Sequence, residues 1–315
     1  MAIKNFIIAF FLSLVIHFIT QKIFIYYKKF DGFNQRSSHK TLATRTGGIG
    51  LFLTLLILSI YFYLNGVEIF DYSFFIPLGI MLLIGVYDDL YNADFKLKFL
   101  LQIIVAKILI DQGLIITNYY GLFGLYEIPH LLAQLTTVFV FLVIVNSINF
   151  IDGIDGLAIS QTIKSIILIE LFSSEFTPFI SLSVILIGSI LPLYYFNFKN
   201  KNKIFLGDGG SLFLGTIISI YTFYVLSDDF YFINKIDLNK TLFTVLILLY
   251  PLTDLLRVFI VRLKNNKLPF YPDKNHLHHL ALQTFKKKQW LVVIVIQLSE
   301  LLLFLLIIFI CKMFQ

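Results

Sequence analysis

Five carboxylates and three imidazoles lie in short polar runs that interrupt an otherwise apolar chain. Asp88 and Asp89 are neighbours; Asp152 and Asp155 sit in Asn149-Phe150-Ile151-Asp152-Gly153-Ile154-Asp155-Gly156; Asp208 sits in Gly207-Asp208-Gly209-Gly210-Ser211; His276, His278 and His279 flank Leu277. Carboxylates without cysteine partners offer hard oxygen ligands, which favour Mg²⁺, with Mn²⁺ as the alternative, over zinc. Magnesium takes one or two carboxylates and leaves its other positions to water and substrate phosphates, so the set points to a phosphorylated substrate. On a helix Asp88 and Asp89 point about 100° apart, which lets one bind a metal while the other handles a proton. Asp152 and Asp155 share a face if a helix begins that early, and its positive end then tolerates them. The glycines around Asp208 let a backbone approach a ligand, and a following helix N-terminus can receive an anion; a simple tight turn is the alternative. The histidines, with Lys267 and Lys274 nearby, suit hydrogen bonding to a diphosphate, with a metal site or a structural role as alternatives. Any one of these acids is explained equally well by helix capping; five together are not.

The elements that position them are read from the apolar runs. Of 315 residues, 58% are hydrophobic and 14% charged, which a water-soluble core of this size does not accommodate. A bilayer-spanning helix needs roughly 17 to 25 apolar residues. Ten candidate spans fall near 5–27, 47–64, 72–87, 98–118, 130–149, 156–172, 178–196, 209–227, 240–262 and 290–311. The first has one preceding Lys and no small-residue cleavage site, so a retained helix is expected rather than a signal peptide. The expected fold class is all-α: one polytopic integral membrane bundle of about ten helices, with residues 1–315 as a single domain.

A net charge of +6 raises the question of nucleic acid, but the charge is distributed as a topology signal. Loops after odd-numbered spans, with the end of the ninth, hold 18 of the 25 basic residues, against Lys235 and Lys240 on the other side. Basic residues collect on the cytoplasmic face, which places both termini outside and all the polar runs, 37–48, 87–98, 146–156, 205–211 and 269–279, toward the cytoplasm. No nucleic-acid partner is expected. Cys311 stands alone, so neither a disulfide framework nor a cysteine metal site is expected.

The ordered set Asp88-Asp89, then Asn149 to Ala158, then Phe205-Leu206-Gly207-Asp208-Gly209-Gly210-Ser211, then His276-Leu277-His278-His279 resembles the polyprenyl-phosphate N-acetylhexosamine-1-phosphate transferases over nearly the whole chain. The resemblance implies transfer of a sugar 1-phosphate from a UDP-N-acetylhexosamine to undecaprenyl phosphate, with release of UMP, at the cytoplasmic face of a bacterial inner membrane. Homodimer assembly is left open. It implies Asp208 as the Mg²⁺ anchor and Asp88 or Asp89 as the group that takes or orients the proton of the lipid phosphate. It also implies Asn149, Asp152 and Asp155 on the nucleotide side, and Lys40, Arg45, Lys98, His276, His278 and His279 as phosphate contacts. The run Pro269-Phe270-Tyr271-Pro272-Asp273-Lys274-Asn275 before the histidines is more similar to the branch that starts O-antigen, common-antigen or teichoic-acid linkage glycans than to the peptidoglycan branch. Two departures stand out: Leu42-Ala43-Thr44-Arg45-Thr46 where relatives carry a Pro-Thr-Pro run, and Asn92 where they often carry a charge.

Two rivals come from other classes. Lys107, Asp111, Lys164 and Glu170 inside candidate spans suit a proton-coupled transporter, which instead calls for broken helices at mid-bilayer and paired halves. A CDP-alcohol phosphotransferase needs an Arg and two further acids after its first Asp-Gly, and residues 158–169 supply neither.

Overall fold

The computed structural model describes residues 2–30, 43–233, 238–266, 276–285 and 288–313. Among them the order is α1 (Ala2–Tyr26), β1 (Ala43–Thr44), α2 (Gly47–Leu64), α3 (Phe75–Tyr91), α4 (Phe95–Asp111), α5 (His130–Ile151), α6 (Leu157–Phe172) and α7 (Ile180–Phe198). Then follow β2 (Lys203–Ile204), α8 (Gly207–Val225), α9 (Lys240–Ile247), α10 (Leu249–Lys264), α11 (Leu277–Thr284) and α12 (Gln289–Met313).

Among the described residues six helices, α1, α2, α3 with the short turn before it, α5, α7 and α12, are long and apolar enough to cross a bilayer, and the bent pair α9 and α10 makes a seventh if it counts as one span. The protein is therefore a helical integral membrane protein. Three more of the expected spans exist as helices with a shortfall. α4 and α6 have only 17 and 16 residues, and α8 begins with the polar Gly-Asp-Gly-Gly-Ser run.

The chain divides into two compact units, Met1–Gln112 with Phe176–Ile217, and Gly113–Glu175 with Ile218–Gln315. In the first, α1 packs on α7 and α2, and α3 on α4. Small residues permit the close approach that helix association in lipid depends on. A Cβ on Gly188 would lie 2.8 Å from the Phe6 carbonyl oxygen, and Ser13 Oγ donates to the Ser189 carbonyl at 2.6 Å. In the second unit α5 packs on α10 and α6, and α12 on α6, α9, α10 and α11.

Helix ends follow local rules. Asn92 closes α3 in the left-handed conformation (φ 55°), which Asn tolerates better than most residues, and its N–H returns to the Asp88 carbonyl at 2.9 Å. Asp94 then caps α4 by accepting from the Lys96 N–H at 3.1 Å. One departure from the family pattern, Asn92, thus sits at the reversal between two helices.

Candidate functional site

In the first unit the acids are brought together by two backbone devices. The first is the three-residue reversal from α3 to α4, which lays Lys98 back over Asp88. The second is the pairing of β1 with β2, parallel, Ala43 opposite Lys203 and Thr44 opposite Ile204. It is extended by Phe205 N–H to the Thr44 carbonyl (2.9 Å), Gly47 N–H to the Phe205 carbonyl (3.0 Å) and Gly48 N–H to the Leu206 carbonyl (3.1 Å). This zipper fixes the entry to Gly207, whose φ of +73° suits glycine and turns the chain into α8 with Asp208 in its first turn.

The result is a charge cluster. Lys98 Nζ lies 2.8 Å from Asp88 Oδ2 and 2.7 Å from Asp208 Oδ2, and the Ala93 N–H donates to Asp88 Oδ1 at 2.8 Å. Asp89 points elsewhere, as neighbours on a helix must. Arg45 Nη1 donates to its Oδ1 at 3.0 Å and the Gly209 N–H to its Oδ2 at 3.1 Å. The Asp89 side chain is 3% exposed, whereas that of Asp208 is 34% exposed. Asp89 therefore clamps the Asp208 loop, and Asp208 and Asp88 face the solvent-accessible side of the cluster. Arg45 and Lys98, expected as phosphate contacts, lie beside the acids; Lys40 falls outside the described residues, as do Lys267 and Lys274.

The second unit holds the histidines. Asp254 on α10 accepts from or shares a proton with His276 Nδ1 at 2.6 Å through Oδ2, and accepts from the Leu277 N–H at 2.6 Å through Oδ1, so one carboxylate orients a ring and caps α11. Asp254, His276 and His278 offer ligand atoms within 4.8 Å of one another, a geometry that a metal could use. Both oxygens of Asp254 are already engaged, however, which favours an orienting role. His278 is fully buried; its Nδ1 lies 3.2 Å from the Tyr250 hydroxyl. Its Nε2 and that of His279 face Gly153, where an added Cβ would lie 2.4 and 3.1 Å away. The ring of Phe150 is edge-on to His276 at 5.6 Å, and the Arg262 guanidinium lies over Phe150 at 5.6 Å.

The expectation that Asp152 and Asp155 share a helical face is corrected. α5 ends at Ile151 with Asp152 as its C-terminal cap, and α6 starts only at Leu157, after Gly156 in the left-handed conformation (φ 82°). Both acids therefore lie in the turn between two helices. The Asp155 N–H donates to Gln289 Oε1 at 3.2 Å. Asn149 remains on the last turn of α5. Tyr250, Asp254 and Arg262 were missed from sequence. An acid within an apolar span was the available signal for Asp254.

Burial holds the His278 ring well below its ordinary range, and charge on His279 and His276 pushes the same way. In the unfolded chain imidazole takes up its proton near pH 6.5, so the unfolded state gains protons first as the pH falls. Stability is thus expected to fall below about pH 6.5 until the folded ring itself titrates. His278→Gln should flatten the decline in thermal midpoint between about pH 7 and pH 5. Identical slopes in wild type and variant would remove His278 as its source.

A model of the family described as glycosyl transferase family 4 matches residues 72–226, a range that contains Asp88, Asp89, Lys98, Asn149, Asp152, Asp155 and Asp208. The chain is 31% identical over 301 residues to a probable undecaprenyl-phosphate N-acetylglucosaminyl 1-phosphate transferase of Bacillus subtilis, covering 93% of this chain and 80% of that protein. It is 30% identical over 276 residues to a decaprenyl-phosphate N-acetylglucosaminephosphotransferase of Mycobacterium leprae, covering 79% and 69%. It is 29% identical over 289 residues to an undecaprenyl-phosphate alpha-N-acetylglucosaminyl 1-phosphate transferase of Thermotoga maritima, covering 90% and 84%.

Proposed function

The chain belongs to glycosyl transferase family 4, and from that premise we propose that it transfers an N-acetylhexosamine 1-phosphate from a UDP-sugar to undecaprenyl phosphate. UMP leaves and a lipid-linked diphosphate sugar remains, the first intermediate of a cell-surface glycan. The observation that carries the reading is the pair of carboxylate oxygens, from Asp88 and Asp208, aimed at the single ammonium of Lys98.

Two hard oxygens converging on one point of positive charge, with no thiol in the set, fit a divalent cation of the Mg²⁺ or Mn²⁺ type. Asp208, with Asp88 beside it, would hold that ion. When bound it neutralises charge that builds on diphosphate oxygens, the main requirement of phosphoryl transfer. Lys98 supplies a second positive charge for the same oxygens. Asp88 is the acid placed to orient the lipid phosphate or accept its proton, because its side chain is 19% exposed whereas that of Asp89 is 3% exposed beneath Arg45 and the Gly209 N–H. A phosphate monoester is largely ionised near neutral pH, so no strong base is needed. Asn149, Asp152, Asp155, His276, His278 and His279 are assigned to the donor's nucleotide and phosphates.

On the same reading α4, α6 and α8 complete ten spans, both termini face outward and the acids face the cytoplasm from the inner membrane. Three of the four intramembrane charges that suit a transporter have local ion-pair partners: Lys107 pairs with Asp111 one turn on, and Lys164 with Glu300. No second reading is favoured. Membranes containing the protein, supplied with Mg²⁺, undecaprenyl phosphate and a panel of UDP-sugars, are expected to release UMP with at least one UDP-N-acetylhexosamine and only when the lipid is present. UMP without lipid would indicate a hydrolase, and no UMP from any donor would overturn the proposal.

A further inference from the structure

The apolar run over 240–264 is broken within: α9 stops at Ile247, α10 starts at Leu249, and their axes bend by 75°. A break in an apolar span strands backbone donors and acceptors where water does not reach them. Here side chains take them up. Gln161 Nε2, on α6, donates to the Ile247 carbonyl at 2.8 Å, and the Tyr250 N–H donates to Glu300 Oε1, on α12, at 3.2 Å. Pro251 removes one further donor from the first turn of α10.

Both of those side chains are themselves held. Lys164 forms an ion pair with Glu300, their side chains only 13% and 4% exposed, and donates to Gln161 Oε1 at 3.0 Å. Gln297 Nε2 donates to the same Gln161 oxygen at 3.2 Å. Tyr250 therefore has its backbone in this cluster and its hydroxyl 3.2 Å from His278 Nδ1. One turn along α10, Asp254 holds His276. A buried ion pair is a poor way to gain stability, since apolar side chains of similar size do as well or better. Its value here is geometric.

We propose that Lys164, Glu300 and Gln161 are positioning residues: they fix the break between α9 and α10 and, through Tyr250 and Asp254, the orientation of His278 and His276. None of the three is assigned a contact with substrate. The kinetic half of this proposal rests on the transferase reading; the orientation of the ring does not.

Three variants test it. Tyr250→Phe removes one hydroxyl and leaves the break intact. Lys164→Met with Glu300→Met removes both ions together, so no unpaired charge is buried. Lys164→Gln with Glu300→Gln removes the charges but keeps a carbonyl for the Tyr250 N–H and an amide for Gln161. Tyr250→Phe and the Met pair are each expected to raise KM for the UDP-sugar or lower kcat by about 10- to 100-fold, the range for lost supporting hydrogen bonds, with KM for undecaprenyl phosphate unchanged. The Gln pair is expected to recover activity to near wild type. Independently of turnover, nitrogen-15 shifts of the His278 ring, assigned against His278→Gln, are expected to move in Tyr250→Phe. Should the Met pair not accumulate, Gln161→Ala, which removes the donor to the Ile247 carbonyl and leaves the Lys164–Glu300 pair, takes its place with the same expected change in kinetics and His278 ring shifts, and wild-type values for both would overturn the proposal. Should wild type show no transfer, the ring shifts decide. Wild-type kinetics and unmoved ring shifts in Tyr250→Phe, or a Gln pair as impaired as the Met pair, would overturn the proposal.

Discussion

Asp208→Asn is expected to lower sugar 1-phosphate transfer by about a thousandfold, the scale seen when one preorganised electrostatic contact to a transition state is lost. The substitution keeps shape and removes charge. Asp208 is partly exposed at the start of α8, so the change buries no new polar group and the protein is expected to remain folded in the membrane. Lys98, however, would then face one carboxylate where it faced two, and a hard cation would lose its principal anionic ligand. The comparison to make is of rate against Mg²⁺ or Mn²⁺ concentration in wild type and variant. Full activity at ordinary metal concentration would refute Asp208 as the metal anchor.

Gly85→Ala is expected to lower transfer by about 100-fold although it alters no polar group. A Cβ at position 85 would lie 2.4 Å from the Asp208 carbonyl oxygen and 2.5 Å from the Gly209 Cα, and because these are backbone atoms no rotamer change relieves the clash. The helix α3 and the loop carrying Asp208 must separate. A shift of about 1 Å in a reacting constellation costs roughly 100-fold in rate. Overpacking of this kind costs about 1–3 kcal/mol in stability. Gly79→Ala, on the same helix, provides the control. Its Cβ meets only the Phe52 ring, Cζ at 3.8 Å and Cε2 at 4.0 Å, ordinary contacts, so activity should be unchanged. Equal activities for the two variants would show that the close approach of α3 to Asp208 does not set the site.

Residue type was more legible in the sequence than residue placement. Asp88 and Asp89 read correctly as lying near the end of a helix, because an apolar run stops there. Their division of labour was hidden. It depends on Arg45 and Gly209 being brought to Asp89 by a two-residue parallel ladder, and two residues carry no periodicity that a pattern could reveal. Asp152 and Asp155 have helical spacing, yet the left-handed glycine at 156 starts the helix after them. The ninth apolar run looked continuous because composition does not record the polar clasp, on α6 and α12, that stabilises its break. Span counting suffers from the same cause: α4 and α6 are short and α8 opens with the site's own polar residues, so function and hydropathy compete for the same positions.

The most direct test of sugar 1-phosphate transfer is the fate of the phosphate next to the sugar. With UDP-N-acetylglucosamine labelled at its β-phosphorus and undecaprenyl phosphate as acceptor, the label is expected to enter the lipid phase in step with UMP release, in wild type and not in Asp208→Asn. Label retained in water as UDP, with the sugar alone carried to lipid, would contradict it.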